Sequence, residues 1–106
     1  MNRIDRHLEL VAQHPHQFRG DFAEWLESNA HVFAYFEECA VKVWEAGFTH
    51  YSARTIVEVM RHRSNVREII GEYKLNDHRT PDMARLHMLL HPEHRGLFEF
   101  RERKAA

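Results

Sequence analysis

The chain has 106 residues, of which 43% are hydrophobic and 29% charged, with a formal net charge of -1 at pH 7. This length and composition predict one globular domain and exclude a chain that is disordered throughout. The single cysteine, Cys39, excludes an internal disulfide framework and a multi-cysteine zinc site. No apolar run is long enough to cross a membrane, and residues 1–10 lack a signal-peptide core, so we expect a cytoplasmic protein without a membrane partner.

Helical spacing of apolar residues dominates the chain. Helices are predicted over residues 3–13, 21–28, 30–46, 52–62 and 81–91. The third has the broadest apolar face and is expected at the centre of the core. Gly47 follows it, at the position where a left-handed residue ends a helix. Ser52 is a good N-cap for the fourth helix, and Pro81 suits the first turn of the fifth.

Three short segments have the composition of strands, over residues 48–51, 69–75 and 97–101. We therefore predict an α+β fold, mainly α with a small β-sheet of two to three short strands, similar to a winged helix. The whole chain, residues 1–106, is predicted as a single domain. Within it, residues 1–20 form an N-terminal helix and loop, residues 21–103 the core and residues 104–106 a frayed tail.

In the winged-helix interpretation, residues 81–91 are the recognition helix and residues 97–103 begin the wing. Two features of the sequence do not fit a winged helix. Residues 63–79, either a hairpin or a mobile loop, are far longer than the usual turn. The recognition helix is also apolar almost all round, and only Arg85 on its outer face could easily contact a base edge.

Five short motifs resemble a family of small uncharacterised proteins of bacteria and their phages. They are His50-Tyr51-Ser52-Ala53-Arg54, Tyr73-Lys74-Leu75-Asn76, Ala84-Arg85-Leu86, His91-Pro92-Glu93 and Gly96-Leu97-Phe98. The resemblance covers roughly residues 30–103. It implies a phage or mobile-element setting, and because the family has no assigned activity it transfers no catalytic residue.

Catalytic motifs are absent from the sequence. Cys39 lies in the middle of a predicted helix at the edge of its apolar face, which is typical of a core thiol rather than a nucleophile. The serines lie at helix ends, where capping explains them, and the four glycines never cluster into a phosphate-binding loop. We predict that the protein is not an enzyme.

Ten histidines are present, and three share an H-x3-H-x2-H spacing: His87, His91 and His94. Imidazoles one helical turn apart can bind one metal ion, and Glu93 could add an oxygen ligand. However, Pro92 ends the helix before the third histidine, and His87 lies on the predicted buried face. Ordinary half-buried histidines are therefore favoured, and no metal or cofactor is predicted. If a metal binds, the same three are the candidate ligands, and His50 and His78 could join them only through the tertiary fold.

Basic residues are concentrated in the second half of the chain, where arginine greatly outnumbers lysine. Arginine suits bidentate contacts to phosphate and guanine. We predict binding to double-stranded DNA through eight arginines: Arg54, Arg61, Arg63, Arg67, Arg79, Arg85, Arg101 and Arg103. The alternative for part of this set is a solvated stripe in which Glu58 pairs with Arg54 and Arg61 along one helix.

A second function remains open. The split charge, the amphipathic N-terminal helix and the many aromatic residues also suit a protein that binds another protein. In this alternative the chain modulates or inhibits a host complex, or associates with a second copy of itself as a homodimer.

Overall fold

The computed structural model describes residues 3–62 and 79–98, and every regular element in these two ranges is a helix. The elements are α1 (Arg3–Gln13), α2 (Phe22–Ser28), α3 (Ala30–Glu45), α4 (Ala53–His62), α5 (Thr80–Leu90) and a 3-10 helix (Pro92–His94). The five predicted α-helices are confirmed, and each begins and ends within one residue of its expected bounds. No helix in these ranges has the length and apolar character that a membrane crossing requires.

The predicted small β-sheet is wrong, since neither described range contains a strand. Residues 48–51 form a bend between α3 and α4, and residues 97–98 continue from a turn. These two segments do meet, through a backbone hydrogen bond from the Tyr51 N–H to the Leu97 carbonyl at 2.8 Å. One such bond does not make a ladder, because a strand pair needs a repeated pattern. The predicted strand over residues 69–75 and most of the predicted wing lie outside the described residues.

The winged-helix interpretation is also wrong, and α5 shows the physical reason. A recognition helix must leave one face free for a DNA groove. Most of the first two turns of α5 is buried instead, including Asp82, Met83, Ala84 and Leu86. A helix that is apolar nearly all round buries most of its surface, and α5 does so by packing against α1, α3 and α4. Arg85 and Met88 stay partly exposed.

The buried apolar side chains form one cluster, with α3 at its centre as predicted. Val32, Phe33, Phe36 and Ala40 of α3 are each 0% exposed. Their spacing of three to four residues puts them on one face of the helix, against α2, α4 and α5. Glu37 also lies on α3, and it flanks this buried stripe. The packing of α3 therefore places one carboxylate at the edge of the core.

Two helix ends follow the local rules that the sequence predicted. After α3, the Gly47 N–H donates to the Trp44 carbonyl at 3.0 Å and the Phe48 N–H to the Val43 carbonyl at 3.4 Å. Gly47 has a φ of 98°, so this is a Schellman C-cap. At the start of α4, the Ser52 hydroxyl accepts a hydrogen bond from the backbone N–H of the third residue of the helix, at 3.3 Å. The turn between α3 and α4 is thus built locally.

We expect Gly47→Ala to destabilise the protein by about 1 kcal/mol, because a side chain is strained in left-handed backbone. No atom would touch the added Cβ, so the cost is conformational. Gly20→Ala is the matched control, since Gly20 is equally open and does not have a positive φ. Urea unfolding of both variants measures the difference, and equal midpoints would contradict the assignment.

Candidate functional site

The structure brings His87, His91 and His94 together. His87 lies on α5, and His91 follows it one turn later as the C-cap residue of that helix. Pro92 then starts the 3-10 turn that brings His94 back beneath the end of α5. The ring centroids are 4.4 Å apart for His87 and His91, 5.1 Å for His87 and His94, and 4.9 Å for His91 and His94. The break at Pro92, which the sequence interpretation weighed against a shared site, is what closes the group.

Aromatic rings pack around the two buried members of this histidine cluster, His87 and His94. His87 is 0% exposed and meets the rings of Phe36 and Phe98 edge-on, at centroid distances of 6.4 and 5.7 Å. Trp44 stacks on His94 at 4.8 Å. Aromatic packing therefore helps to hold the imidazoles of His87 and His94 in place.

A carboxylate from a distant part of the chain completes the cluster. Glu37 of α3 places its Oε2 2.8 Å from Nε2 of His91, across 54 positions of sequence. The other nitrogen of the same ring, Nδ1, is 3.2 Å from Oε1 of Glu93. The sequence interpretation included Glu93 and missed Glu37. The apolar periodicity of α3 put Glu37 on the polar side of the helix, opposite the predicted buried face, so no signal in the sequence joined it to the histidines.

Two carboxylate oxygens lie within hydrogen-bond distance of the ring of His91. A neutral imidazole carries one N–H and can donate to only one acceptor. Both ring nitrogens of His91 face carboxylate oxygens. In a neutral ring, the nitrogen without a hydrogen would therefore point its lone pair at an oxygen lone pair. A proton or a metal ion shared between His91 and Glu37 removes that conflict.

The ring of His87 leaves one nitrogen without a partner. Its Nε2 is 2.9 Å from Nδ1 of His94, a hydrogen bond between the two rings. Its Nδ1 is buried and has no hydrogen-bond partner. A buried polar atom without a partner is uncommon in folded proteins, and it marks a place where an ion can bind.

The electrostatics keep the buried rings neutral. Burial, and then the charges of His91 and His94, lowers the pKa of His87 to about 3. Burial, followed by the charge of His91, also lowers the pKa of His94 against the opposing charges of Glu93 and Glu45. At neutral pH His87 and His94 hold no extra proton. Their lone pairs are available without a proton having to leave first.

Two groups within the described residues have the donor types and spacing of a metal site. Glu37, His87 and His91 each offer a ligand atom, all within 4.8 Å of one another, and so do His91, Glu93 and His94. Atoms bound to one zinc ion lie roughly 3.3 Å apart, given bond lengths of about 2.0 Å and tetrahedral angles. The histidine His50 is exposed and belongs to neither group, and His78 lies outside the described residues.

Two of the predicted DNA-contacting arginines are used inside the fold. Arg79 donates from both terminal nitrogens to the carboxylate of Asp21, at 2.9 and 3.0 Å, and lies over the ring of Trp25. Arg85 is 3.8 Å from Asp82, a carboxylate that is 0% exposed. The first pair joins the start of α5 to the start of α2, and the second lies within α5.

Of the six remaining arginines, Arg54 and Arg61 lie within the described ranges, both on α4. Arg54 is exposed on α4, and Arg61 lies 3.7 Å from Glu58, which confirms the predicted pair along that helix. Four of the eight lie outside the described residues: Arg63, Arg67, Arg101 and Arg103. Nucleic-acid binding stays a prediction, and so does the protein-binding alternative.

A scan against protein-family models, a search of curated proteins and a search of solved structures each found no match.

Proposed function

We propose that this protein binds a divalent transition-metal ion, with Glu37, His87 and His91 as its protein ligands. The observation that carries the proposal is the convergence of these three donors from two helices beside a buried ring nitrogen that lacks a partner. Two imidazoles and one carboxylate are a donor set that zinc uses when it keeps a fourth position open. Zn²⁺ is therefore the ion we expect.

The hydrogen bonds around the cluster support particular ligand atoms. A histidine that binds a metal through one nitrogen donates its other N–H to a nearby acceptor. Glu93 accepts from Nδ1 of His91, which leaves Nε2 for the metal. Nδ1 of His94 accepts from Nε2 of His87, which leaves the unpartnered Nδ1 for the metal. In this assignment Glu93 and His94 orient the ligands and do not bind the ion.

Zinc titration of chelator-treated protein tests the proposal by calorimetry. We expect one ion per chain, and Glu37→Gln, which keeps the size of the side chain, weakens binding at least about 100-fold. Glu93→Gln weakens it about tenfold, because it removes an orienting contact and no ligand. His16→Asn is the matched control, since His16 is exposed in the loop after α1 and belongs to neither candidate group.

Two results would contradict the proposal. One is the absence of zinc uptake by the wild-type protein, in which case the cation between His91 and Glu37 is a proton. The other is zinc binding that Glu37→Gln and His16→Asn reduce equally, which would show adventitious binding to surface histidines. Circular dichroism of each variant confirms that the helices are intact.

A further inference from the structure

A cavity of about 860 Å³ adjoins the histidine cluster. Its walls come from α1, α3 and the end of α5, and Glu37 and His91 are among the side chains that line it. Two of the three proposed metal ligands therefore border the same space. A molecule in this cavity lies beside Glu37 and His91. The volume lies within the usual range for small-molecule sites, roughly 300–1,000 Å³.

Unpaired positive charge lines the wall formed by α1. Arg3 and Arg6, one helical turn apart, both border the cavity. Neither guanidinium has an ion-pair partner anywhere in residues 3–62 or 79–98. By contrast, Lys42 on the α3 wall is paired with Glu38 at 3.2 Å. The carboxylate of Glu45 also lines the cavity, so a ligand here meets charges of both signs. Among the described residues, the unpaired positive groups of the lining are the two guanidinium groups of α1.

A buried histidine of α1 also lines the cavity. His7 is 5% exposed and packs edge-on against the ring of Phe33. Burial lowers the pKa of His7, and the charges of Arg3 and Arg6 lower it further, against the opposing charge of Glu37. His7 is therefore neutral at pH 7. On this side of the cavity, Arg3 and Arg6 carry the positive charge that would attract an anion.

We propose that the cavity binds a small oxyanion, a carboxylate or a phosphate, between the metal ion and the guanidinium groups of Arg3 and Arg6. One anionic oxygen takes the open position on the metal, and others accept hydrogen bonds from the arginines. Guanidinium groups bind carboxylate and phosphate oxygens in pairs, which fits both ligand classes. This inference rests on the proposed metal site, since the metal supplies half of the attraction.

Calorimetry with two probes, succinate and inorganic phosphate, tests the inference and distinguishes the two classes. Each probe is titrated into metal-loaded and metal-free protein. We expect at least one of them to bind the loaded protein, and to bind at least about tenfold more weakly to the loaded double variant Arg3→Gln/Arg6→Gln. The charge-matched control, Arg19→Gln/Arg95→Gln, removes two exposed arginines that do not line the cavity and is expected to bind like the wild type.

A reciprocal measurement strengthens the test. If the probe and the metal bind cooperatively, the bound probe tightens metal affinity by the same factor by which the metal tightens probe affinity. Cobalt in place of zinc gives an independent signal, because a new oxygen ligand changes its visible absorption spectrum.

The outcomes separate this inference from the metal proposal. Metal binding with no binding of either probe overturns the inference and leaves the metal site intact. Probe binding that the two double variants reduce equally also overturns it, because the arginines of α1 would then have no special part. Failure of the wild-type protein to bind metal overturns both.

Discussion

Phe36→Ala is expected to lower the free energy of unfolding by about 3–5 kcal/mol, because it removes a large ring from the middle of the core. Phe36 is 0% exposed at the centre of α3. Its ring lies 6.4 Å from that of Phe33, 5.9 Å from that of Phe98 and 6.4 Å from that of His87. Truncation removes all three contacts and leaves a cavity where α3 and α5 meet. Chemical denaturation monitored by circular dichroism gives the change.

Phe48→Ala is the matched control for this loss. Phe48 is 51% exposed and contacts Tyr51 edge-on at 5.4 Å. We expect it to cost less than about 1 kcal/mol, since a half-exposed ring leaves little apolar area to lose. A cost for Phe36→Ala no greater than for Phe48→Ala would show that α3 is not the centre of the core.

Acidification is expected to destabilise the metal-free protein, by about 1.4 kcal/mol per pH unit from His87 alone below pH 6.5. The folded-state pKa of His87 is about 3, whereas its ordinary value is 6.5. Above pH 6.5 the ring is neutral in both states and contributes no pH dependence. Between 6.5 and 3 the unfolded chain takes up a proton that the folded protein does not, so stability falls as pH falls. The lowered pKa values of His7 and His94 act in the same direction.

Unfolding in urea at pH 7.5 and pH 5.5, in the presence of a chelator, measures this effect. Both pH values lie above the ordinary pKa of glutamate, so carboxylates contribute little to the difference in stability between them. His87→Gln removes the buried titrating group and is expected to reduce the difference between the two pH values. His31→Gln, a change at an exposed position of α3, is expected to leave it unchanged. A pH dependence equal in all three proteins would contradict the role of His87.

The helices could be predicted because their determinants are local. Apolar residues repeat at helical spacing along each one, and Gly47 and Ser52 end and begin helices through contacts with residues close by in the sequence. The strands could not be predicted in this way. A short apolar segment such as residues 97–98 becomes a strand only if another segment offers it a ladder of hydrogen bonds, and in the described residues it has one bond to Tyr51.

In the candidate site, too, some residues are neighbours in the sequence and others meet only in the tertiary structure. His87, His91 and His94 lie within one short stretch of the sequence, at the end of α5 and just after it, which made them candidates for one group. The turn at Pro92 that closes the group was seen only in the tertiary structure. Glu37 joined them only through the packing of α3 against α5. The arginine Arg79 was likewise assigned to DNA until the tertiary structure placed it on Asp21. Periodicity shows which face of a helix is buried, but only the packed chain decides which side chain from another helix lies against it.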